Sequence, residues 1–127
     1  MTTATMTQTV ELTPELMYDI VVEAKTAARH AASKFFAEVM DNTDAGSCGF
    51  AWVNIYTVDG KKIRANSKIG KALQAAGVGK DWTGAWQLWN PSKFPCQNID
   101  TLEAGARAAA DVFKKYGFEA YAGSRLD

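Results

Sequence analysis

The longest regular pattern of apolar and polar residues begins at Thr13-Pro14-Glu15. This triplet is typical of a helix start, because threonine caps, proline fits the first helical position and the acid lies in the positive first turn. Apolar residues then recur at steps of three and four, which predicts a helix over residues 14–40. The apolar face consists of Met17, Val21, Ala24, Ala28, Ala31, Phe35 and Val39.

The centre of this apolar face is alanine, so another helix can approach it closely. One hypothesis is a core helix that lies across a sheet. The other is a helix that also pairs with its copy in a homodimer, since a twofold axis brings the same face together. At roughly 40 Å, the helix is as long as a domain of this size is wide. We therefore expect a homo-oligomer, at least a dimer through residues 14–40.

Strict alternation over residues 49–56 predicts a strand. A turn at Asp59-Gly60 leads to a short returning strand over residues 61–65. A capped helix over residues 68–76 and a second main strand over residues 84–89 follow. The two faces of the first strand are Ala51, Val53 and Ile55, and Phe50, Trp52, Asn54 and Tyr56.

The C-terminal third is predicted to hold a second long helix and a last strand. Asp100 and Glu103 form a capping-box-like pair, and the helix runs to about Tyr116. Residues 118–122 form the strand, and Leu126 suggests that the end is buried and tied down. The fold class is α+β, with the long N-terminal and the C-terminal helix packed on a small, mostly antiparallel sheet. Residues 1–12 are expected to be a frayed tail and residues 13–127 a single domain.

Composition narrows the class of protein. The chain has 127 residues, with 14 Lys and Arg against 14 Asp and Glu, so bulk charge does not favour binding to duplex nucleic acid. Cys48 and Cys96 lack metal-site spacing and are expected to be free, buried thiols. Neither a membrane span nor a secretory signal is evident. We expect a cytoplasmic protein that does not bind membranes.

Catalytic motifs are weak. The single histidine, His30, excludes a histidine triad or a His-rich metal site. Cys48 lies in a glycine-flanked loop but lacks an evident base. The segment 77–81 has the wrong spacing for a phosphate loop and carries Asp81 in place of Ser or Thr. The sequence therefore predicts a protein that is not an enzyme and has no cofactor or metal.

Aromatic and amide side chains are the chemistry that the sequence does offer. Rings cluster between residues 52 and 94, and base–aromatic stacking contributes roughly 1–3 kcal/mol per base. Amides can recognise base edges, arginines can grip phosphate through two hydrogen bonds, and a lysine can act as a point charge. Because Trp86 and Trp89 are three apart on one strand, one is expected in the core and the other in a pocket wall. The candidate ligand-binding residues are Trp86, Trp89, Asn90, Arg107, Arg125, Lys93, Gln97 and Asn54.

The chain resembles the phage proteins that counter Thoeris defence by sequestering cyclic ADP-ribose signals. The resemblance lies in size, in the long first helix and in three short motifs, Trp89-Asn90-Pro91, Arg107 and Ser124-Arg125. It covers residues 50–127 in layout. The resemblance implies that an aromatic ring, an Asn and late arginines hold a cyclic nucleotide at a subunit interface without cleaving it, in the host cytoplasm. Some members of that family also hold small cyclic oligonucleotides.

Two other functions remain open from the residues. The same aromatic surface could anchor a protein partner, because Trp and Arg dominate interface hot spots. A binder of single-stranded nucleic acid would also use stacked rings, but the lysines of this chain are spread out instead of forming a basic track.

Overall fold

The structure, a computed structural model, describes residues 13–127. The predicted tail over residues 1–12 lies outside the described residues. The first helix, α1, spans Pro14–Glu38 and is capped by Thr13, whose hydroxyl accepts a hydrogen bond from the Leu16 amide at 3.1 Å. The predicted long helix is thus confirmed to within two residues of its end.

A four-stranded sheet follows α1, with the strand order β2-β3-β1-β4 and every neighbouring pair antiparallel. The predicted α+β class is confirmed. Within the described residues, no helix is both long and apolar enough to cross a membrane. The remaining elements are β1 Gly49–Tyr56, α2 Lys68–Ala75, β2 Gly79–Lys80, β3 Trp86–Trp89, α3 Ile99–Lys115 and β4 Glu119–Leu126.

The alanine face of α1 packs inside the chain. Ala24 and Ala28 are fully buried, and α1 packs chiefly against α3. The approach is close, since a Cβ on Gly105 of α3 would lie 3.0 Å from the carbonyl oxygen of Ala28. The small residues therefore serve packing within the core, as expected for a core helix, but the surface they pack against is α3 and not the sheet. Pairing of this helix with a second copy stays a prediction.

The sheet turns one face to the helices, and its alternation sets which residues form the core. Ala51, Val53 and Ile55 of β1 are buried, whereas the four residues that alternate with them are only partly buried. Phe113 of α3 is fully buried in the same core cluster. The bounds and the two faces predicted for the first strand are confirmed.

Two local predictions were wrong. Residues 61–65 form no strand, because the chain makes a local turn after β1. In this turn the Thr57 amide donates to the Lys61 carbonyl oxygen at 2.8 Å. The cap of α3 is Asn98, not Asp100, since the Asn98 Oδ1 accepts hydrogen bonds from the amide and the hydroxyl of Thr101 at 2.8 and 2.9 Å.

The C-terminal end is tied down by its backbone. Strand β4 pairs with β1 along its whole length, and the Asp127 amide donates to the Cys48 carbonyl oxygen at 3.1 Å. The expected anchoring is confirmed, but the expected burial of Leu126 was wrong, because its side chain is 67% exposed.

Both cysteines are free thiols, as predicted. Cys96 is partly buried, and burial raises the pKa of its thiol. Cys48 is exposed, so its predicted burial was wrong. The reason is its place in the exposed segment before β1, where it forms an isolated bridge with Asn98.

Candidate functional site

The face of the sheet turned away from the helices is covered with aromatic rings. We call it the open face. Trp82, in the loop between β2 and β3, is 96% exposed beside it, and Trp89 is 46% exposed. Large exposed apolar surface marks a site of interaction. The open face consists of Phe50, Trp52, Asn54, Tyr56, Gln87, Trp89, Tyr121 and Arg125.

The sheet register brings the central rings together. Trp52 of β1 lies opposite Trp89 of β3, and the two ring planes are 5° apart with centroids at 5.6 Å. This is an offset parallel arrangement, which aromatic pairs favour. On its other side Trp52 lies opposite Gly123 of β4, where an added Cβ would be 2.5 Å from the indole nitrogen. Glycine at this position therefore lets the Trp52 indole lie across β4.

A series of hydrogen bonds fixes the Trp52 indole and the loop that carries Trp82. The Trp52 indole N–H donates to Asn54 Oδ1 at 3.0 Å, and Asn54 Nδ2 donates to Asp81 Oδ2 at 3.2 Å. The other oxygen of Asp81 accepts from the amides of Thr83 and Ala85 at 2.8 and 3.0 Å. Both ends of the Asn54 amide are thus engaged, so this residue orients Trp52 and anchors the loop that carries Trp82.

Asp81 is charged at neutral pH. Burial acts to raise the pKa of its carboxyl group, but the hydrogen bonds from Thr83, Ala85 and Asn54 together outweigh burial and hold the pKa below its ordinary value. A carboxylate that accepts several hydrogen bonds is a weak base. Its role is to accept hydrogen bonds and to fix the loop.

Residues of the open face and of the Trp82 loop together line one open concavity of about 330 Å³. Gln87 belongs to it because strand alternation places it on the same face as Trp89. The Gln87 amide makes no hydrogen bond to another described residue, so both its donor and its acceptor are available. The Arg125 guanidinium carbon lies 5.4 Å from the Phe50 ring centroid at the other side. The full lining is Trp52, Asn54, Asp81, Trp82, Gln87, Trp89 and Arg125.

The structure divides the two candidate tryptophans of β3. Trp86 is 3% exposed, and its indole N–H donates to the Ile63 carbonyl oxygen at 2.8 Å. It belongs to the core and does not line the concavity, in contrast to Trp89. Of the eight predicted binding residues, the concavity brings together Asn54, Trp89 and Arg125.

The two candidate arginines do not converge within one chain. Arg107 pairs with Glu103 on the exposed side of α3 at 2.7 Å. Glu103 in turn accepts from the Ser124 hydroxyl at 2.6 Å, so this cluster lies on the helix side of β4. Arg125 is the next residue along β4 and therefore points to the open face. The two arginines therefore project from opposite sides of β4.

The other three candidates lie outside the concavity. Gln97 precedes α3, and its Oε1 accepts from the Cys48 thiol at 3.4 Å. Asn90 and Lys93 lie in the loop after β3, both with positive φ, at 44° and 47°. The Asn90 Oδ1 is buried and has no hydrogen-bond partner among the described residues. Lys93 lies beside α1 and lines a different groove.

The predicted cluster of rings between residues 52 and 94 includes Trp52 and Trp82, but both were left out of the predicted binding set. Gln87 was missed, although the alternation that sets Trp89 apart from Trp86 also places Gln87 with Trp89. Asp81 was missed because its role depends on Asn54, 27 residues away in the chain. No pattern near Asp81 carries that information.

Among residues 13–127, no three His, Cys, Asp or Glu side chains are grouped so that they could hold a metal ion.

Known proteins offer no guide to this site. Comparison of the chain with protein-family models, with curated proteins and with solved structures finds no match.

Proposed function

We propose that this chain is a non-catalytic binding protein that holds a nucleotide on its open face. The observation that carries the proposal is the parallel Trp52–Trp89 pair, which shares one concavity with the almost fully exposed ring of Trp82. Exposed indoles contribute little to folding but offer flat surfaces on which a base can stack. Gln87 and Arg125 add the polar groups that a nucleotide needs.

Each part of a nucleotide has a partner in the concavity. The base stacks on the exposed side of Trp89, and Trp82 in the same lining offers a second ring; each stacked base contributes roughly 1–3 kcal/mol. The Gln87 amide can both donate to and accept from the base edge. Arg125 can grip a phosphate through two parallel hydrogen bonds. Asp81 is able to accept from a ribose hydroxyl or an exocyclic amine.

The ionisable groups of the open face support binding without catalysis. Asp81 has a lowered pKa and is held by hydrogen bonds, so it is poorly suited to take up a proton. At the other end of the face, a hydrogen bond to Glu119 raises the pKa of the Tyr121 hydroxyl, which is thus a weak acid. A ligand bound here would be released intact.

The charge of the concavity favours a small nucleotide over single-stranded nucleic acid. Arg125 is the single cation among its lining residues, and Asp81 lies in the same lining. A polynucleotide needs a continuous basic track along its backbone. One arginine suits a ligand with one or two phosphate groups.

In the cell, such a nucleotide binder would act as the phage proteins do that it resembles, those that counter Thoeris defence. The chain would be a phage protein that sequesters a cyclic nucleotide immune signal of the cyclic ADP-ribose type, or a cyclic oligonucleotide, in the host cytoplasm. A rigid cyclic ligand loses little conformational freedom on binding, which suits an open site with few contacts. A second copy could supply Arg107 to the phosphates.

A second candidate is a protein-binding inhibitor or adaptor. It is supported by the 96% exposure of Trp82, since a protruding tryptophan is a common interface hot spot. The two candidates share a surface, so binding data must separate them.

The test is thermal melting against cyclic ADP-ribose isomers, cyclic di- and trinucleotides, NAD and ADP-ribose. A ligand at 100 times its dissociation constant adds about 2.7 kcal/mol and raises the melting temperature by several degrees. We expect such a shift with one cyclic nucleotide, which mass spectrometry then recovers intact after denaturation. A flat panel would contradict the proposal and favour a protein partner.

Three variants locate the ligand. Trp89→Ala should abolish the shift. Gly123→Ala keeps every ring but displaces the Trp52 indole, whose nitrogen would lie 2.5 Å from the new Cβ, and it should weaken binding. Tyr18→Ala removes an exposed ring from α1 and is the matched control. A shift that survives Trp89→Ala would place the ligand elsewhere.

A further inference from the structure

A second groove lies between α1 and the loop after β3, and we call it the basic groove. It has a volume of about 640 Å³. Lys25, Arg29 and His30 of α1 line one side, and Lys93 of the loop lines the other. Its lining residues differ from those of the open-face concavity throughout.

The basic groove concentrates positive charge in a chain that carries none overall. The whole sequence has 14 basic and 14 acidic residues, yet no Asp or Glu is among the described residues that line this groove. Neither Arg29 nor Lys93 forms an ion pair with another described residue. A cleft lined by charges of one sign attracts counter-ions and raises their local concentration.

Arg29 is held in place without being neutralised. Its guanidinium carbon lies 5.7 Å from the Phe94 ring centroid, and one of its N–H groups donates to the Lys93 carbonyl oxygen at 3.4 Å. Phe94 packs in turn on Phe36, with ring centroids 5.2 Å apart. A guanidinium has five N–H donors, so most remain for a ligand.

The loop that presents Lys93 is a built structure. Lys93 has a φ of 47°, in a region that non-glycine residues rarely adopt and that tends to occur at functional sites. Ser92 is buried, and its hydroxyl accepts from the Phe94 amide at 3.1 Å. Ser92 also packs against Gly105 of α3, where an added Cβ would lie 2.9 Å from the Ser92 Cβ. The backbone conformation of Lys93 is therefore set by the core.

We propose that the basic groove binds a small phosphate-bearing anion, independently of the nucleotide proposed for the open face. A guanidinium fork beside lysine point charges is the combination that recognises phosphate and pyrophosphate groups. Arg29, which Phe94 and the Lys93 carbonyl oxygen hold in place, and the Lys93 ammonium group are the two main ligands, one from each wall. Lys25 and His30 add donors along α1.

The test is isothermal titration calorimetry of the full chain with sodium pyrophosphate at low salt. We expect binding that weakens as salt is added. Arg29→Gln and Lys93→Gln should each weaken it roughly tenfold or more, the loss of one charge-assisted hydrogen bond. Lys61→Gln removes one exposed lysine outside the groove and is the matched control. A melting curve for each variant verifies that it folds.

Two results would overturn this inference. One is the absence of pyrophosphate binding to the unmodified chain at millimolar concentration. The other is an equal affinity in Arg29→Gln and Lys61→Gln. Trp89→Ala should leave pyrophosphate binding unchanged, so this result stands or fails separately from nucleotide binding on the open face.

Discussion

The two faces of the sheet use the same residue types for opposite purposes. Trp86 and Trp89 belong to one four-residue strand, yet one is buried with its N–H satisfied and the other is half exposed against a second ring. The inner face packs against the helix layer. The open face presents its rings to solvent.

The energetic meaning of the two faces differs as well. Burying a large apolar side chain contributes about 1.5–3 kcal/mol to folding, whereas an exposed one contributes little. Trp82, which is almost fully exposed, therefore gains nearly nothing in the folded chain. Its value lies in what it can contact. The inner face should control stability, and the open face should control binding.

The sharpest test compares Trp86→Ala with Trp89→Ala. Removing Trp86 leaves a cavity and an unpaired Ile63 carbonyl oxygen, so the free energy of unfolding should fall by about 3–5 kcal/mol. Removing Trp89 loses mainly ring contacts with Trp52 and Phe50 and should cost about 1 kcal/mol. Urea denaturation of the two variants measures both values.

The roles should reverse in ligand binding. Trp89→Ala should lose the nucleotide while it stays folded, and Trp86→Phe, which keeps most of the ring volume, should retain it. Equal destabilisation by the two alanine variants would show that the faces are not energetically distinct.

Sequence patterns predicted the elements better than their contacts. The strand over residues 49–56 was predicted in full because its alternation is strict and a core face follows from it. The start of α3 was harder, since Asn98 and Asp100 are both good caps and only the bond to Thr101 decides between them. The loop after β1 closes on Thr57 through hydrogen bonds that leave no periodic signal.

For the candidate site, sequence patterns predicted the types of side chain better than the particular residues that come together. Rings, amides and an arginine do meet at the open face. Arg107 does not join them, because the packing of α3 places it on the opposite side of β4 from Arg125. Lys93 lies in the basic groove instead, in a loop where two residues take positive φ. Such outcomes depend on tertiary contacts that no single segment encodes.

Asp81→Asn, which alters the hydrogen bonds that hold the open face, should lower the free energy of unfolding by a moderate amount. The amide would place a donor against the Asn54 Nδ2, where Asp81 now accepts, so the free energy of unfolding should fall by about 1 kcal/mol at pH 7. The pKa of Asp81 is lowered in the fold, so its stabilisation is present above the ordinary value of 3.8 and is lost as the pH falls through the folded value.

Denaturation at several pH values tests this prediction. The difference between the two proteins should shrink in acid, because the unmodified chain then loses the Asp81 charge as well. A difference that stays constant from pH 7 down to pH 3 would show that the charge of Asp81 contributes nothing. Intrinsic tryptophan fluorescence reports in the same experiment whether the Trp82 loop has moved.

The smallest effect should come from the rim of the helix layer. Glu23 of α1 contacts Lys115, and it accepts from the Tyr116 hydroxyl at 2.6 Å at the end of α3. The hydrogen bond from Lys115, followed by that from Tyr116, lowers the pKa of Glu23. The hydrogen bond to Glu23 raises the pKa of both Lys115 and Tyr116.

Glu23→Gln should therefore lower the free energy of unfolding by less than about 1 kcal/mol near neutral pH, since water screens an exposed ion pair. The contribution of Glu23 is present above its ordinary pKa and lost as the pH falls through the lowered one. On the alkaline side it is lost as the pH rises through the raised pKa values of Lys115 and Tyr116. The deficit should also shrink in high salt. A deficit as large as that of Trp86→Ala would mean that this rim contact, and not the buried inner face, governs how the two helices are held.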